Sequence, residues 1–309
     1  MRLTEKKSSF RAWATALRKT FIRLKEEPSS VSDEAFLTMA YQVLFEREVD
    51  PIGVSGWLPQ LQNGLPRLEL VKALFSSDEF KIRADSASLH QIFHQSRLEM
   101  VQTLLPEAKI ILDIGGAHHD DSRGALLNFG YPYLPEKLYI VDLPPSERMF
   151  PVDHAPHKLN YGDCEIEYVY RSMADLSCFE AGTFDLIWSG ESIEHITTEE
   201  AEVVLDQVYR LLKPGGKFAF DTPNRQVTQL QCPNNYIHPE HKIEYCYEDM
   251  IELLKKHHFK VIESKGVIDF SESVHRNTFI VDEATRNPGL NDNPQNSYLF
   301  YICCVRDDT

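Results

Sequence analysis

Short apolar runs separated by helical patterns make up the chain after residue 105. The runs lie at 110–113, 138–142, 184–188, 217–221, 259–263 and 298–305. Between the third and fourth runs, apolar residues recur every three or four positions, which predicts an amphipathic helix. Thr197 followed by Glu200 predicts a capping box at the start of this helix. Alternating strands and helices predict a doubly wound α/β sheet.

A different pattern, helical throughout, precedes residue 106. Within residues 31–83, apolar side chains recur at helical spacing, the letters DPIG at 50–53 predict a turn, and LPRLELVKALF at 65–75 predicts a further helix. We therefore predict a small helical accessory domain at 31–83. A helical connector at 84–105 joins it to the α/β domain at 106–309.

Charge is distributed unevenly along the chain. The net charge is −15, yet residues 1–25 contain eight Lys or Arg and one Glu. The apolar residues of this segment fall on one helical stripe, so residues 1–30 are predicted to form a basic amphipathic helix. Such a helix suits an anionic membrane surface or a protein partner; packing on its own protein is the alternative. The acidic remainder argues against a nucleic-acid partner.

The six cysteines include no CxxC pair, which favours reduced thiols and a cytoplasmic location and disfavours a structural zinc site. Apolar runs stay shorter than the roughly 18 residues of a membrane span. We therefore expect a cytoplasmic protein, with the inner membrane face as one candidate contact of its basic tail. The sequence predicts no oligomeric state.

Candidate ligand-binding residues follow the first two apolar runs. Ligands of open α/β sheets bind beyond the carboxyl ends of the strands. The first run continues into Asp113, Gly115 and Gly116, where the absent side chains let a ligand approach the backbone. The second run ends at Asp142, which is placed to accept hydrogen bonds from a ribose diol. A tight turn and a capping carboxylate are the plainer alternatives.

Four stretches in order carry a family resemblance: ILDIGGA, LYIVDL, MADL before FDLIWSGESIEHI, and LLKPGGKFAFDTPNR. Residues 106–309 resemble a class I S-adenosylmethionine-dependent methyltransferase. The resemblance implies a seven-stranded Rossmann-like sheet and S-adenosylmethionine as cofactor. It also implies protein contacts with the cofactor's methionine portion, ribose, adenine and sulfonium. The residues implied to make these contacts are Asp113, Gly115, Gly116, Ala117, Asp142, Leu143, Asp175, Leu176, Ser189 and Gly190.

The chain departs from this family in two places. Ala117 and His119 stand where glycines are usual, and the proline-rich stretch 144–162 replaces a helical crossover and is a candidate lid or substrate wall. A dinucleotide oxidoreductase would instead show G-x-G-x-x-G after the first strand. This chain reads GGAHHD, in which Asp120 and Asp121 would repel a diphosphate. We therefore exclude a nicotinamide cofactor.

An acidic cluster directly follows the strand at 184–188. Glu191, Glu194 and His195 share one face of a helical turn, and two adjacent carboxylates call for a neighbouring cation. The sulfonium is one candidate, and a divalent ion such as magnesium is the other. The E-x-x-E-H pattern resembles ubiquinone-pathway O-methyltransferases, in which the matching residues bind magnesium. A hydrogen-bonded structural cluster is the alternative.

Three histidines are candidates for the chemistry. A hydroxyl acceptor must lose a proton, and His195 is the first candidate base, followed by His238 and His241 in YIHPEHKIEY, which resembles loops of glycan methyltransferases. Residues 31–83 resemble a bacterial domain of unknown function, related in pattern to phycobilisome linkers and often attached to glycan-modifying enzymes. We therefore expect methylation of a hydroxyl on a sugar or polysaccharide precursor. The alternatives are N-methylation of an amino sugar, O-methylation of a small aromatic or quinone, and a non-catalytic scaffold.

Overall fold

The computed structural model describes residues 31–45, 47–147 and 157–307. The predicted basic helix at 1–30 and the centre of the proline-rich stretch lie outside these ranges. The chain divides into two compact units, Met1–Ser88 and Leu89–Thr309. No helix within the described ranges has both the length and the apolar character that a bilayer span requires.

The first unit is helical. It contains α1 (Asp33–Phe45), α2 (Pro51–Gln62) and α3 (Arg67–Phe75), and α4 (Asp78–Leu104) begins in it. An apolar core formed by α1, α2 and α3 includes Phe36, Leu37, Leu61, Leu70 and Leu74.

The predicted turn at 50–53 is wrong, because these residues begin α2. Asp50 is the N-cap, and its Oδ1 accepts a 2.8 Å hydrogen bond from Gly53 N. Pro51 occupies the first helical position, where its missing N–H costs nothing and its fixed φ suits a helix. The same residue types that favour a turn therefore start a helix here.

The second unit is built on one mixed sheet. Its strands are β1 (Ile110–Ile114), β2 (Lys137–Asp142), β3 (Lys158–Tyr161), β4 (Cys164–Tyr170), β5 (Phe184–Gly190), β6 (Leu212–Pro223), β7 (Phe259–Asp269), β8 (Leu290–Asn291) and β9 (Ser297–Arg306). The spatial order is β3-β4-β2-β1-β5-β6-β9-β7-β8. The sheet thus has nine strands rather than the predicted seven, because β3 and β8 add a short antiparallel edge at each end.

Helices cover both faces of this sheet. Those after α4 are α5 (Ala125–Asn128), α6 (Thr198–Leu211), α7 (Arg225–Gln231), α8 (Tyr247–Lys256), α9 (Ser271–Arg276) and α10 (Glu283–Arg286). Neighbouring residues of β1 enter different apolar clusters, Ile111 on one face and Leu112 on the other. This burial on both faces explains the continuous apolar runs of the sequence.

The capping box of α6 is confirmed. Thr197 Oγ1 accepts a hydrogen bond from Glu200 N at 3.3 Å, and Glu200 Oε2 accepts one from Thr197 N at 2.9 Å. The helix therefore begins where the sequence predicts, directly after the segment that carries His195.

β4 was missed because it alternates instead of forming an apolar run. Cys164, Ile166 and Tyr168 are buried, whereas Glu165 and Glu167 lie within 3.1 Å of Lys137 Nζ on the neighbouring strand. A period of two is typical of a strand, so the signal was present in the sequence.

The sheet contains a switch point at β1. β1 pairs in parallel with β2 on one side and with β5 on the other, and the chain builds first one half of the sheet and then the other. Crevices form where the connections from two such neighbouring strands diverge. The carboxyl ends of β1, β2, β4, β5 and β6 therefore define the candidate site.

Candidate active site

The turn after β1 requires glycine at two successive positions. Gly115 has a φ of +74°, and a Cβ there would collide with the side chain of Ser192. A Cβ on Gly116 would collide with the carboxylate of Asp113. Gly115 N donates to Val141 O at 2.8 Å, so the turn is held against the end of β2. The result is a close-fitting backbone cradle at the switch point.

Asp113 lies beneath this turn with an unsatisfied oxygen. Its side chain is 1% exposed, and its Oδ2 has no hydrogen-bond partner among the described residues. Burial raises the pKa of Asp113 to about 7, although a backbone N–H of Leu126 opposes the shift. Buried polar atoms without partners are rare in native proteins and call for an explanation. An ammonium group, such as that of the cofactor's methionine portion, is a chemically suitable partner.

Asp142 ends β2 and is held rigidly at the same edge. Its Oδ2 accepts a 3.0 Å hydrogen bond from Ala117 N, and its Oδ1 accepts a 2.7 Å bond from Leu143 N. Because a carboxylate oxygen can accept two hydrogen bonds, this group can also accept from ribose hydroxyls. The side chain of Leu143 is exposed directly after it. These residues fit the sugar portion of a nucleoside cofactor.

Asp175 and Leu176 are placed less favourably for contact with the cofactor than the resemblance implies. Leu176 is fully buried in an apolar cluster, and the Oδ1 of the exposed Asp175 accepts a 3.2 Å hydrogen bond from Ser177 N. Tyr170, the last residue of β4, pairs with Asp142. The first residues beyond that edge are therefore 171–173, which the sequence reasoning missed. Recognising β4 would have drawn attention to them.

The end of β5 has an unusual backbone. Ser189 is buried, Gly190 ends the strand, and Glu191 has a φ of +47°. This left-handed conformation costs a non-glycine residue about 1–2 kcal/mol. Glu191 N donates to Asp221 O at 3.0 Å, which links the ends of β5 and β6.

Arg97 supplies the cation that the sequence analysis expected beside these carboxylates. Its Nε and Nη2 donate to the buried Asp221 at 2.7 and 3.1 Å, and its Nη1 lies 2.6 Å from Glu191 Oε2. Burial opposes the charge, but the carboxylates of Asp221 and Glu191 raise the pKa of Arg97 above its usual value. Neither a sulfonium nor a metal ion is needed to neutralise Glu191. The sequence reasoning missed Arg97 because it lies on α4, far from the acidic cluster along the chain.

Glu194 points into the protein. Its side chain is fully buried, its Oε2 accepts a 2.9 Å hydrogen bond from Thr222 Oγ1, and its Oε1 has no partner among the described residues. Burial and the charge of Glu191 raise the pKa of Glu194 well above its usual value. Glu191, Glu194 and His195 therefore do not converge on one point, and the predicted magnesium site finds no support in this geometry.

His195 instead clusters with His238 and His241. Its ring centroid lies 5.9 Å from that of His238 and 5.0 Å from that of His241. One ligand nitrogen from each ring lies within 4.8 Å of the other two, the only such group of three metal-binding side chains in the described residues. Burial lowers the pKa of His195, and the other two imidazoles lower it further. The fold thus brings together the three histidines that the sequence singled out.

The loop between α7 and α8 is fixed in place by a buried carboxylate. Glu244 Oε1 accepts a 2.8 Å hydrogen bond from Ile237 N and lies 2.8 Å from His241 Nδ1. Its Oε2 accepts from Thr228 Oγ1. Lys242 N also donates to Glu194 O at 2.8 Å, which holds the loop against the segment after β5. These bonds keep the histidines of the loop beside His195.

Comparisons with known proteins identify the domain that carries this crevice. Residues 126–220 match a family model described as a methyltransferase domain, and residues 21–84 match a domain of unknown function, DUF4214. This chain therefore contains a methyltransferase domain preceded by a DUF4214 domain. S-adenosylmethionine is the cofactor that this family implies, and the cradle around Asp113 and Asp142 fits it.

Among curated relatives, the ubiquinone biosynthesis O-methyltransferase of Xanthomonas axonopodis pv. citri (strain 306) is 32% identical over 130 residues, 42% of this chain and 49% of the relative. The sarcosine/dimethylglycine N-methyltransferase of Halorhodospira halochloris is 29% identical over 143 residues, 46% of this chain and 47% of the relative. The chain thus spans about half the length of these relatives. A crystallised SAM-dependent methyltransferase from Archaeoglobus fulgidus is 14% identical, with a TM-score of 0.44 over 71% of this chain and 93% of that one.

Proposed function

We propose that this protein transfers a methyl group from S-adenosylmethionine to a hydroxyl, on a sugar or polysaccharide precursor. The observation that carries the cofactor part is the unpartnered Oδ2 of Asp113 beneath a turn that admits only glycine. A closed structural turn would satisfy such an oxygen internally, whereas a binding site leaves it for the ligand.

The acceptor part depends on where the histidines lie. Ser192, whose side chain occupies the space beside Gly115, begins the turn that ends at His195. The cofactor cradle and the histidine cluster therefore border the same crevice. A hydroxyl is a poor nucleophile until its proton is removed, and imidazoles are the groups most often used for that task. The resemblance of residues 236–245 to loops of glycan methyltransferases supports a sugar as the acceptor.

These positions suggest a separate role for each group of residues. S-adenosylmethionine, when bound, supplies an electrophilic methyl group on a sulfonium. Asp113 and the glycine turn bind its amino-acid end, and Asp142 orients its ribose. The histidine cluster holds the acceptor and takes the proton of its hydroxyl. Alignment of this kind can lower the barrier of such a displacement by about 7–11 kcal/mol.

The direct test is a methyl-transfer assay with labelled S-adenosylmethionine against nucleotide sugars and cell-envelope glycans. We expect label in a sugar fraction, and label in none of these fractions would contradict the proposed acceptor. Cofactor binding is tested separately by the rise in melting temperature on adding S-adenosylmethionine or its demethylated product. A well-folded protein without such a rise would instead favour the non-catalytic scaffold.

A matched pair of variants tests the cofactor cradle. We expect Asp142→Ala to weaken cofactor binding about 10- to 100-fold, because a hydrogen bond to a charged group is worth about 1.5–3 kcal/mol. Asp175→Ala should leave binding nearly unchanged, since that carboxylate is exposed and bonded within its own turn. The reverse result would make Asp175, rather than Asp142, the carboxylate that contacts the cofactor.

N-methylation is the second candidate, because one of the relatives is named as an N-methyltransferase. An amine acceptor must also lose a proton before transfer, so the same cluster would serve it. Including amino sugars and small amines in the assay separates the two candidates. Transfer to amines alone would replace the hydroxyl proposal.

A further inference from the structure

We propose that His195, His238 and His241 bind one divalent transition-metal ion, with zinc as the preferred ion. Imidazole nitrogen is a common zinc ligand, and three protein ligands with a fourth position open is the pattern of catalytic zinc sites. This site differs from the Glu191–Glu194–His195 arrangement in two of its three ligands. Its two other ligands come from the loop before α8, which is held to the main chain at Glu194 by a hydrogen bond from Lys242 N to Glu194 O.

The spacing of the ring nitrogens is close to what an ion requires. A zinc ion with bonds of about 2.0–2.1 Å in tetrahedral geometry holds its ligand nitrogens about 3.3 Å apart. The three nitrogens lie within 4.8 Å of one another without an ion. The nitrogens therefore need to approach one another by at most about 1.5 Å to complete the site. The loop that carries two of them connects α7 to α8, so His238 and His241 can approach His195 without disturbing a strand.

Glu244 prepares His241 for this role. Metal-binding histidines usually donate their other ring N–H to a carboxylate, which fixes the tautomer and aims the free nitrogen at the ion. His241 Nδ1 lies 2.8 Å from the buried Glu244 Oε1, so its Nε2 is the nitrogen left for an ion. His238 Nδ1 accepts a longer 3.3 Å bond from Glu240 N. Because the Nδ1 lone pair accepts this bond, His238 must release it to bind an ion through either nitrogen.

The ligand set selects the class of ion. Magnesium and calcium prefer oxygen ligands, whereas three imidazoles suit zinc and its neighbours in the first transition series. The open position of a four-coordinate ion can take water or an oxygen of the methyl acceptor. Binding there would lower the pKa of a hydroxyl so that solvent water can take its proton, and this would replace proton transfer to one of the three imidazoles. This last step alone rests on the proposed methyl transfer.

The test measures metal binding directly. Full-length protein is stripped with a chelator and titrated with zinc by calorimetry and with cobalt by visible absorption, in the absence of S-adenosylmethionine. We expect one ion per chain and the absorption of a four-coordinate cobalt ion. His195→Gln and His241→Gln should each weaken binding at least tenfold. His275→Gln is the matched control, because His275 is exposed on α9 and outside the cluster.

Two results would overturn the proposal. One is wild-type affinity no greater than that of the protein with all three histidines changed to Gln; the other is an equal loss in His275→Gln. Melting curves identify a variant that fails to fold, and His238→Gln, on the loop, then serves in its place. Since this titration needs no cofactor, failure of methyl transfer leaves its result intact. If the protein binds the metal but a chelator does not affect its methyl transfer, the metal site stands. Its role toward the acceptor is then removed.

Discussion

Two groups of ionisable side chains lie beyond the ends of β5 and β6, and they are satisfied in different ways. The carboxylates of Glu191 and Asp221 share the guanidinium of Arg97. The imidazoles of His195, His238 and His241 face one another, and one is held by Glu244. In the first group two carboxylates share one buried guanidinium, whereas the second group keeps nitrogen lone pairs for a ligand. Pairing with an arginine therefore marks the structural side of the crevice, and imidazole nitrogens left for a ligand mark the chemical side.

The largest expected effect comes from removing the guanidinium that Glu191 and Asp221 share. Arg97→Met leaves Asp221 buried without its partner, and removal of one member of a buried ion pair costs about 3–5 kcal/mol. Denaturant unfolding of the cofactor-free protein measures this loss. Lys109→Met is the matched control, because its pair with Glu136 is exposed on both sides and should matter far less. Equal losses of unfolding free energy in the two variants would show that the Arg97 pairing stabilises the fold no more than an exposed ion pair does.

Asp113 is a buried carboxylate that lacks such a close ion pair among the described residues, and its pH dependence should differ accordingly. Its pKa is raised to about 7 by burial, above the value of about 4 in the unfolded chain. The folded state therefore binds the proton more tightly, and stability falls as pH rises from about 4 to 7, by up to about 4 kcal/mol.

We expect Asp113→Asn to remove this part of the pH dependence in the cofactor-free protein. Unfolding experiments from pH 4 to 8 on both proteins measure the difference. A constant gap between the two curves across this range would contradict a raised pKa at Asp113.

The carboxylate of Glu244 supports His241 in the histidine cluster, and the variant Glu244→Gln tests that support. A neutral amide holds the Nδ1–H of His241 less strongly, so zinc affinity should fall about 10- to 100-fold, the usual effect of losing such a partner. Calorimetric titration measures the loss, with melting curves to confirm folding. Unchanged zinc affinity would mean that His241 does not need Glu244 to present its Nε2.

The smallest effect should come from Glu194, which lies between the two groups. Burial and the charge of Glu191 raise its pKa and favour its neutral form, so Glu194→Gln replaces one neutral group with another of similar shape. We expect a change in unfolding free energy below about 1 kcal/mol. Asp221→Asn, which weakens the pairing with Arg97, should cost clearly more in the same experiment. A larger loss from Glu194→Gln would show that Glu194 carries a charge the protein needs.

Local patterns predicted the elements with strong periodicity. The capping box at Thr197 and the continuous apolar runs were found where the sequence placed them, because caps and two-sided burial act over a few residues. β4 was missed because its alternating glutamates face Lys137 and Lys158 on neighbouring strands. The start of α2 was misread because Asp and Pro favour turns and helix N-termini alike.

The sequence by itself determined the doubly wound class of the sheet, the glycine turn after Asp113 and the identity of the three histidines, since each depends on residue type and short-range spacing. Only the tertiary structure decided how the ionisable groups are paired. Arg97 reaches Asp221 across 124 positions of the chain, and His241 reaches His195 because backbone hydrogen bonds hold its loop to Glu194. Electrostatic pairing depends on distance in space, which sequence separation does not report.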